Sequence, residues 1–205
     1  MEPIPLDPRA YRGTYKLVGG QPSLDLVNTV SWPGRPREHD WFDPVENVVT
    51  WAAAAGILES DSAERLRQTL RAHPVAAARQ RATVRRVRSV VGRVLSPHVR
   101  GERPPPVAVE ALNRLLVRAA TRRHLDAQTL TWSFREPTTL EHVLAPAVLN
   151  AADVVTQVDP PRLGHCPGCD WLFHDTTRNG RRTWCDMGDC GSRAKARRHY
   201  QRHHG

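Results

Sequence analysis

The chain of 205 residues contains little lysine, few aromatic side chains and no long apolar run. Lysine occurs only as Lys16 and Lys195, so arginine supplies nearly all of the basic charge. No apolar stretch approaches the roughly 18–20 residues that a membrane-spanning helix needs. The first residues, Met1 to Pro5, have neither the basic flank nor the apolar segment of a signal peptide. We therefore expect a cytoplasmic protein that does not contact a membrane.

The overall composition indicates a globular protein with an anionic partner. Hydrophobic residues make up 40% of the chain and charged residues 25%, which argues against a wholly disordered protein. The formal net charge of +9 favours a nucleic-acid partner. GC-rich coding DNA also produces arginine-rich chains, so the position of the charge has to decide between the two explanations.

Both the charge and the cysteines are concentrated at the C-terminal end. Residues 162–205 contain nine basic and four acidic residues, and so carry +5 of the net charge of +9. All four cysteines lie there, spaced C-x2-C-x15-C-x4-C: Cys166, Cys169, Cys185 and Cys190. Four thiolates at this spacing suit one tetrahedral, structural Zn²⁺ with no open coordination position. Two disulfides, or a redox-active Cys-x-x-Cys pair, are the competing interpretations.

Helical periodicity dominates residues 1–160 and predicts a mainly α-helical domain. Helices are expected around 24–27, from Asp43 to Ala55, from Asp61, over 74–96, after Pro106 and from Thr138. Alternating apolar and polar residues over 129–135 predict a strand of a small β-hairpin, with its turn at Asp126. Asp159-Pro160-Pro161 separates this domain from a second one at 161–205.

The second domain is predicted to be a treble-clef-like zinc finger with a short β-hairpin and a basic helix. Thr177 to Gly180 reads as the turn between its two strands, and a helix-permissive basic segment follows Cys190. We expect basic side chains there to contact DNA: Arg178, Arg181, Arg182, Arg193, Lys195, Arg197, Arg198 and Arg202. A solvated face, or an acidic protein partner, would also explain this charge. His165, His174 and Asp175 adjoin the cysteines and are expected to support the ligands or lie on the surface.

Polar residues in the first apolar helix have two interpretations. Asp25, Asn28 and Thr29 stand at i, i+3 and i+4, where they would line a small-molecule pocket walled by Trp32 and Trp41. Alternatively, they hydrogen-bond to nearby backbone. The sequence contains no catalytic motif, so we expect a protein that is not an enzyme.

Several of these segments resemble two known families. Cys166-Pro167-Gly168-Cys169, Leu172 to Asp175, Arg181 to Cys185 and Cys190-Gly191-Ser192-Arg193 resemble the CGNR zinc finger, with Ser192 in place of the asparagine of its name. The N-terminal part resembles the ABATE domain that usually accompanies this finger, in Gly19-Gly20, Leu24 to Thr29, Asp43 to Trp51 and Gly56-Ile57-Leu58. The resemblance implies a bacterial, stress-induced or ligand-responsive transcription regulator.

Together these observations predict a zinc-dependent, DNA-binding transcription regulator. Its N-terminal domain would sense a small-molecule effector or form a homodimer. Two alternatives lack sequence-specific DNA binding: a zinc-finger module that binds another protein, and a sensor that responds to oxidation of its zinc-bound thiolates. An enzyme acting on a small molecule through the N-terminal domain is a further alternative.

Overall fold

The computed structural model describes residues 2–204 as helices joined to three small antiparallel hairpins. The helices are α1 (Pro22–Val27), α2 (Asn47–Ala54), α3 (Ser60–Ala72), α4 (Pro74–Val99), α5 (Pro106–Ala120), α6 (Leu140–Gln157) and α7 (Ser192–His204). The hairpins are β1 (Val30–Ser31) with β2 (His39–Asp40), β3 (Arg123–Leu125) with β4 (Trp132–Phe134), and β5 (Leu163–His165) with β6 (Leu172–His174). This architecture confirms the predicted fold class. Within the described residues, no helix is both long and apolar enough to cross a membrane.

Helix α4 is the centre of the helical part, and it packs against α1, α3, α5 and α6. Its buried side chains recur three or four residues apart, as the periodicity predicts: Val84, Val87, Val91, Val94 and Leu95. Helix α6, which packs against α4, buries the small side chains of Ala147 and Ala151. Burial of each valine or leucine side chain contributes about 1.5–3 kcal/mol.

Two local predictions are wrong. The helix expected from Asp43 begins instead at Asn47, because the Asp43 carboxylate pairs with Arg81 of α4 at 2.6 Å and residues 43–46 form a turn. A turn does form at 177–180, but only β6 precedes it and no strand follows it among the described residues, because β6 pairs with β5 around the first cysteine pair. By contrast, the turn at Asp126 is confirmed: its carboxylate accepts hydrogen bonds from the backbone N–H groups of Gln128 and Thr129.

A buried carboxyl lies where the chain enters α1. The Gly19 N–H donates to Asp25 Oδ1 at 2.7 Å, and the Tyr15 hydroxyl donates to the Asp25 carbonyl at 2.7 Å. A Cβ atom on Gly19 would lie 2.8 Å from the Asp25 backbone nitrogen, so this close approach needs glycine. Burial raises the pKa of Asp25 to about 7. The Asp25 carboxyl therefore stabilises the turn before α1 through the Gly19 hydrogen bond, but its burial lowers the free energy of unfolding near neutral pH.

Replacement of Asp25 by asparagine should stabilise the protein progressively as the pH rises. Between pH 4 and 7 the unfolded state releases the Asp25 proton while the folded state retains it, so the free energy of unfolding falls in this range by up to about 4 kcal/mol. The asparagine amide stays neutral in both states and avoids this loss. Urea unfolding of the zinc-loaded protein at pH 4.5, 6 and 7.5 measures the difference.

The control for this experiment is Asp153→Asn, which neutralises an exposed carboxyl of α6. Its stability relative to the parent should change much less over the same pH range. Parallel pH profiles for the parent and Asp25→Asn would show that the buried carboxyl does not titrate as described.

Candidate metal centre and nucleic-acid interface

The four cysteines meet in one buried cluster. Their Sγ atoms all lie within 4.8 Å of one another, and none of the four forms a disulfide. Four sulfurs around tetrahedral zinc, with Zn–S of about 2.3 Å, stand about 3.8 Å apart, so this donor set fits the ion. The prediction of one structural Zn²⁺ in a closed four-thiolate site is thereby confirmed. When bound, the ion supplies cross-linking between chain segments.

Local backbone geometry brings the two cysteine pairs together. Cys166 follows β5 and Cys169 precedes β6, so the turn between them sits at the end of the hairpin. A Cβ atom on Gly168 would lie 3.1 Å from Cys190 Sγ, which leaves little room for any other residue in this turn. Cys190 lies in a π-helical turn, Met187–Gly191, that leads directly into α7. The metal site therefore ties the hairpin to the start of the basic helix.

Two of the arginines predicted to contact DNA also make contacts within the finger, Arg193 from an exposed position and Arg182 from a half-buried one. Arg193 donates to Cys190 Sγ at 3.1 Å, so its charge offsets that of the thiolates. The Arg182 guanidinium donates to the carbonyls of Trp184, Cys185 and Val18, the last at 2.8 Å, and stacks on the Phe173 ring. These contacts hold the Arg182 guanidinium within the fold, whereas Arg193 keeps an exposed side chain next to the cysteine cluster.

The finger is joined to the N-terminal part by hydrogen bonds to its backbone. The Asn28 amide accepts from the Leu172 N–H at 2.7 Å and donates to the Leu172 carbonyl at 2.8 Å, as a neighbouring strand would. The His174 N–H donates to the Gly19 carbonyl at 2.7 Å. The Trp32 indole N–H donates to the Gly168 carbonyl at 3.1 Å, within the first cysteine turn. Gly19, Asn28 and Trp32 are therefore part of the surface of the N-terminal part that holds the finger.

Ion pairs also join the N-terminal part to the finger, at the edges of the contact between them. Lys16 Nζ lies 3.0 Å from Asp186, which precedes the π-helical turn, and 2.9 Å from Asp189 within that turn, and both carboxylates raise the pKa of Lys16. Arg35 pairs with Asp170 at 2.6 Å beside the first cysteine pair. Sequence reasoning did not single out Lys16; its only signal was that the chain contains just two lysines.

The polar residues beside the cysteines have supporting contacts. Hydrogen bonds from Thr177 and from the Arg182 N–H lower the pKa of Asp175 to about 2. His165 Nε2 lies 3.8 Å from an Asp170 oxygen, and His174 Nδ1 contacts Gln21 at 3.2 Å. These side chains therefore brace the loops that carry the ligands.

The predicted pocket is only partly assembled. Trp32 and Trp41 do line a cavity of about 210 Å³ between the N-terminal segment and the finger. Asp25, Asn28 and Thr29 are buried and lie outside the described lining of this cavity. Their polar atoms are engaged elsewhere; Thr29 Oγ1, for example, donates to the Leu26 carbonyl and accepts from Arg88 at 3.0 Å. The interpretation that these three residues hydrogen-bond to backbone describes them better.

Helix α7 leaves the protein surface after its first turn. Ala194 is buried, whereas the residues from Lys195 to His203 are exposed. One face of the helix forms a shallow basic groove lined by Lys195, Arg198, Gln201 and Arg202. Arg197 is exposed beside it, and Arg178 and Arg181 are exposed on the loop that precedes Cys185. With Arg193, seven of the eight residues predicted to contact DNA are thus exposed, and Arg182 is half-buried.

Comparison with known families agrees with this order of parts. Residues 20–158 match the ABATE family, described as "Putative stress-induced transcription regulator", and residues 162–203 match the CGNR zinc finger. Both families are regulatory or metal-binding rather than enzymatic. A search of the curated proteins finds no match to the chain. The boundary at 160/161 stays a prediction, since Leu163, Trp171 and Phe173 share one buried cluster with the N-terminal residues.

Replacement of Asn28 by alanine should weaken the attachment of the finger. The change leaves the N–H and the carbonyl of Leu172 unpaired in a buried position, so we expect a loss of about 2–4 kcal/mol in the free energy of unfolding. Urea unfolding of the zinc-loaded protein measures this loss. Asn113→Ala, at an exposed position of α5, is the matched control and should change stability by less than about 0.5 kcal/mol. Equal effects of the two changes would contradict the role of Asn28.

Removal of zinc should disturb the structure beyond the finger. Trp32 and Trp171 hydrogen-bond across the contact, so loss of the metal should expose both and shift tryptophan emission to longer wavelength. The near-ultraviolet circular dichroism should fall strongly, while most of the helical far-ultraviolet signal from α4–α6 is retained. Chelation under reducing conditions tests this, and Cys166→Ser should reproduce it. An unchanged near-ultraviolet spectrum would show that the metal does not hold this contact.

Proposed function

The chain belongs to the ABATE family and carries a CGNR zinc finger, and on that basis we propose that it is a DNA-binding transcription regulator. The basic helix of the finger contacts the DNA in this proposal. The N-terminal domain holds that helix in position and receives a small-molecule effector. The projection of α7 from the metal site is the observation that best supports the proposal.

The shape of α7 suits a DNA groove. Its 13 residues span about 20 Å at 1.5 Å per residue. Cys190 immediately precedes α7 and Ala194 is buried in its first turn, whereas the side chains from Lys195 to His203 are exposed. The major groove of B-form DNA is about 12 Å wide and admits one α-helix. An exposed helix of these dimensions matches the groove in width and presents basic side chains to it.

The distribution of charge supports the same partner. Zinc with four thiolates carries a charge of −2, but Arg193 lies against this centre and Lys16 neutralises part of the nearby acidic turn. Lys195, Arg198 and Arg202 then present one cationic face, away from the metal. Arg178 and Arg181 lie exposed on the preceding loop, where we assign them to phosphate contacts.

The proposal includes an effector and a homodimer. A regulator that binds two half-sites gains affinity and specificity, and two copies of α7 related by a twofold axis would read a palindrome. The finger contacts that involve Gly19, Asn28 and Trp32 fix the direction of α7 relative to the N-terminal domain. A ligand that alters this domain therefore acts on the direction of the helix.

The double variant Lys195→Gln/Arg198→Gln should lose DNA affinity. Two phosphate contacts fewer predict a drop of at least about tenfold near physiological salt, and a slope of log K against log salt that is shallower by about 2. The matched control, Arg71→Gln/Arg79→Gln, removes the same charge from exposed positions on α3 and α4. Fluorescence anisotropy with a labelled duplex, at several salt concentrations, measures both quantities. Equal losses in the two variants would show binding by net charge alone.

The identity of the DNA partner is tested by selection from a random duplex pool. Zinc-loaded protein should enrich a sequence motif that is lost after chelation, and a palindromic motif would support the homodimer. Recovery without a motif would contradict sequence-specific recognition. Absence of recovery, with and without cell extract as a source of effector, would favour the protein-interaction function of the finger.

A further inference from the structure

A cavity of about 300 Å³ lies between α4, α5 and α6, away from the metal centre. Its deeper wall is apolar and built from small and branched side chains: Val87, Leu115, Ala119, Ala145 and Val148. A cavity of about 150 Å³ in a protein core is large enough to hold benzene. By the same scale this one accommodates an apolar group of up to about a dozen carbon atoms.

The polar side of the cavity contains Arg122, an arginine that has no carboxylate partner among the described residues. Arg118 and Glu141 line the cavity as an ion pair, with Arg118 Nε 2.7 Å from the carboxylate. Arg122 donates through Nη2 to the Glu136 carbonyl at 2.8 Å, which holds the guanidinium in place. Its Nε is buried and has no hydrogen-bond partner among the described residues. Because this Nε is closed off from the cavity, an anionic ligand there can reach only the rest of the Arg122 guanidinium, whose charge no carboxylate of the described residues offsets.

The net charge of the residues that line the cavity determines whether an anionic or a cationic ligand is favoured. The titratable groups that line it are Arg118, Arg122, Glu141 and His142. Burial and the Arg122 charge lower the pKa of His142, so its imidazole is neutral at pH 7. The lining therefore carries a formal charge of +1, which originates from Arg122. An anion compensates it, whereas a cation adds to it.

We propose that this cavity binds a monocarboxylic acid with an apolar body, its carboxylate accepting a hydrogen bond from Arg122. The apolar body packs among the side chains that α4, α5 and α6 contribute. The inference rests on the proposed effector role of the N-terminal domain and names the chemical class of the effector. Arginine suits this role because its planar guanidinium matches a carboxylate and keeps its charge at all physiological pH values.

The cavity is linked to the finger through α4. Val87 lines the cavity, and the next residue, Arg88, donates to both Asp40 oxygens at 2.6 and 2.8 Å and to Thr29 Oγ1 at 3.0 Å. Thr29 follows Asn28, which holds the finger through Leu172. The helix that forms one wall of the cavity thus also supports the residues on which the finger rests.

Calorimetry with octanoate tests the proposal on the full-length, zinc-loaded protein. Octanoate should bind with a stoichiometry of one per chain, and octanamide, which has the same body without the charge, should bind at least tenfold more weakly. Arg122→Gln should weaken octanoate binding at least tenfold. Arg123→Gln is the matched control, because Arg123 stacks on Trp132 outside the cavity lining, and it should leave the affinity unchanged.

A second variant distinguishes loss of the binding site from unfolding of the domain. Ala119→Leu places a larger side chain in the cavity and should abolish octanoate binding while the helical circular dichroism and zinc content are retained. Equal binding of octanoate and octanamide, equal losses in Arg122→Gln and Arg123→Gln, or no binding at millimolar octanoate would each overturn the proposal. Zinc-dependent DNA binding in the same preparation separates this failure from a failure of the proposed regulator function.

Discussion

The finger cannot bury a hydrophobic core of its own, and this constraint shapes the rest of the structure. A segment of about 45 residues needs a metal or a partner to stay folded. Here it has both, since four cysteines gather around one metal site and Trp171, Leu172 and Phe173 join the core of the N-terminal part. The Asn28 amide completes β6 from the side of α1. Zinc coordination, core packing and the direction of α7 are consequently parts of one assembly.

Arginine has two separate roles in this protein. Arg88 and Arg182 bind carboxylate and carbonyl oxygens, and their rigid guanidinium groups join segments that are distant in the chain. Arg193 contacts the thiolate of Cys190 nearby in the chain. The basic residues of α7 after its first turn are exposed and available to an anionic partner. A high net charge alone therefore overstates the DNA-binding surface, because part of the charge is neutralised within the fold.

Helix α4 connects the helical core to the residues that hold the finger. Helix α4 packs against α1, α5 and α6, lines the 300 Å³ cavity and carries Arg88 towards Asp40 and Thr29. The finger contacts the chain immediately beyond Thr29, since the Trp171 indole donates to the Val30 carbonyl at 3.2 Å. The cavity and the finger are thus connected by one long helix and a short hydrogen-bonded network.

Local patterns in the sequence determined the metal ligands, the helical class and most helix positions. Cysteine spacing specifies a tetrahedral site, and the valine stripe of α4 specifies its buried face, because both depend on residues close together in the chain. Only the tertiary structure decided that Asn28 pairs with Leu172, that Asp43 pairs with Arg81 instead of capping a helix, and that Arg182 is internal. These contacts join residues 38 to 164 positions apart, and no local periodicity encodes such pairings.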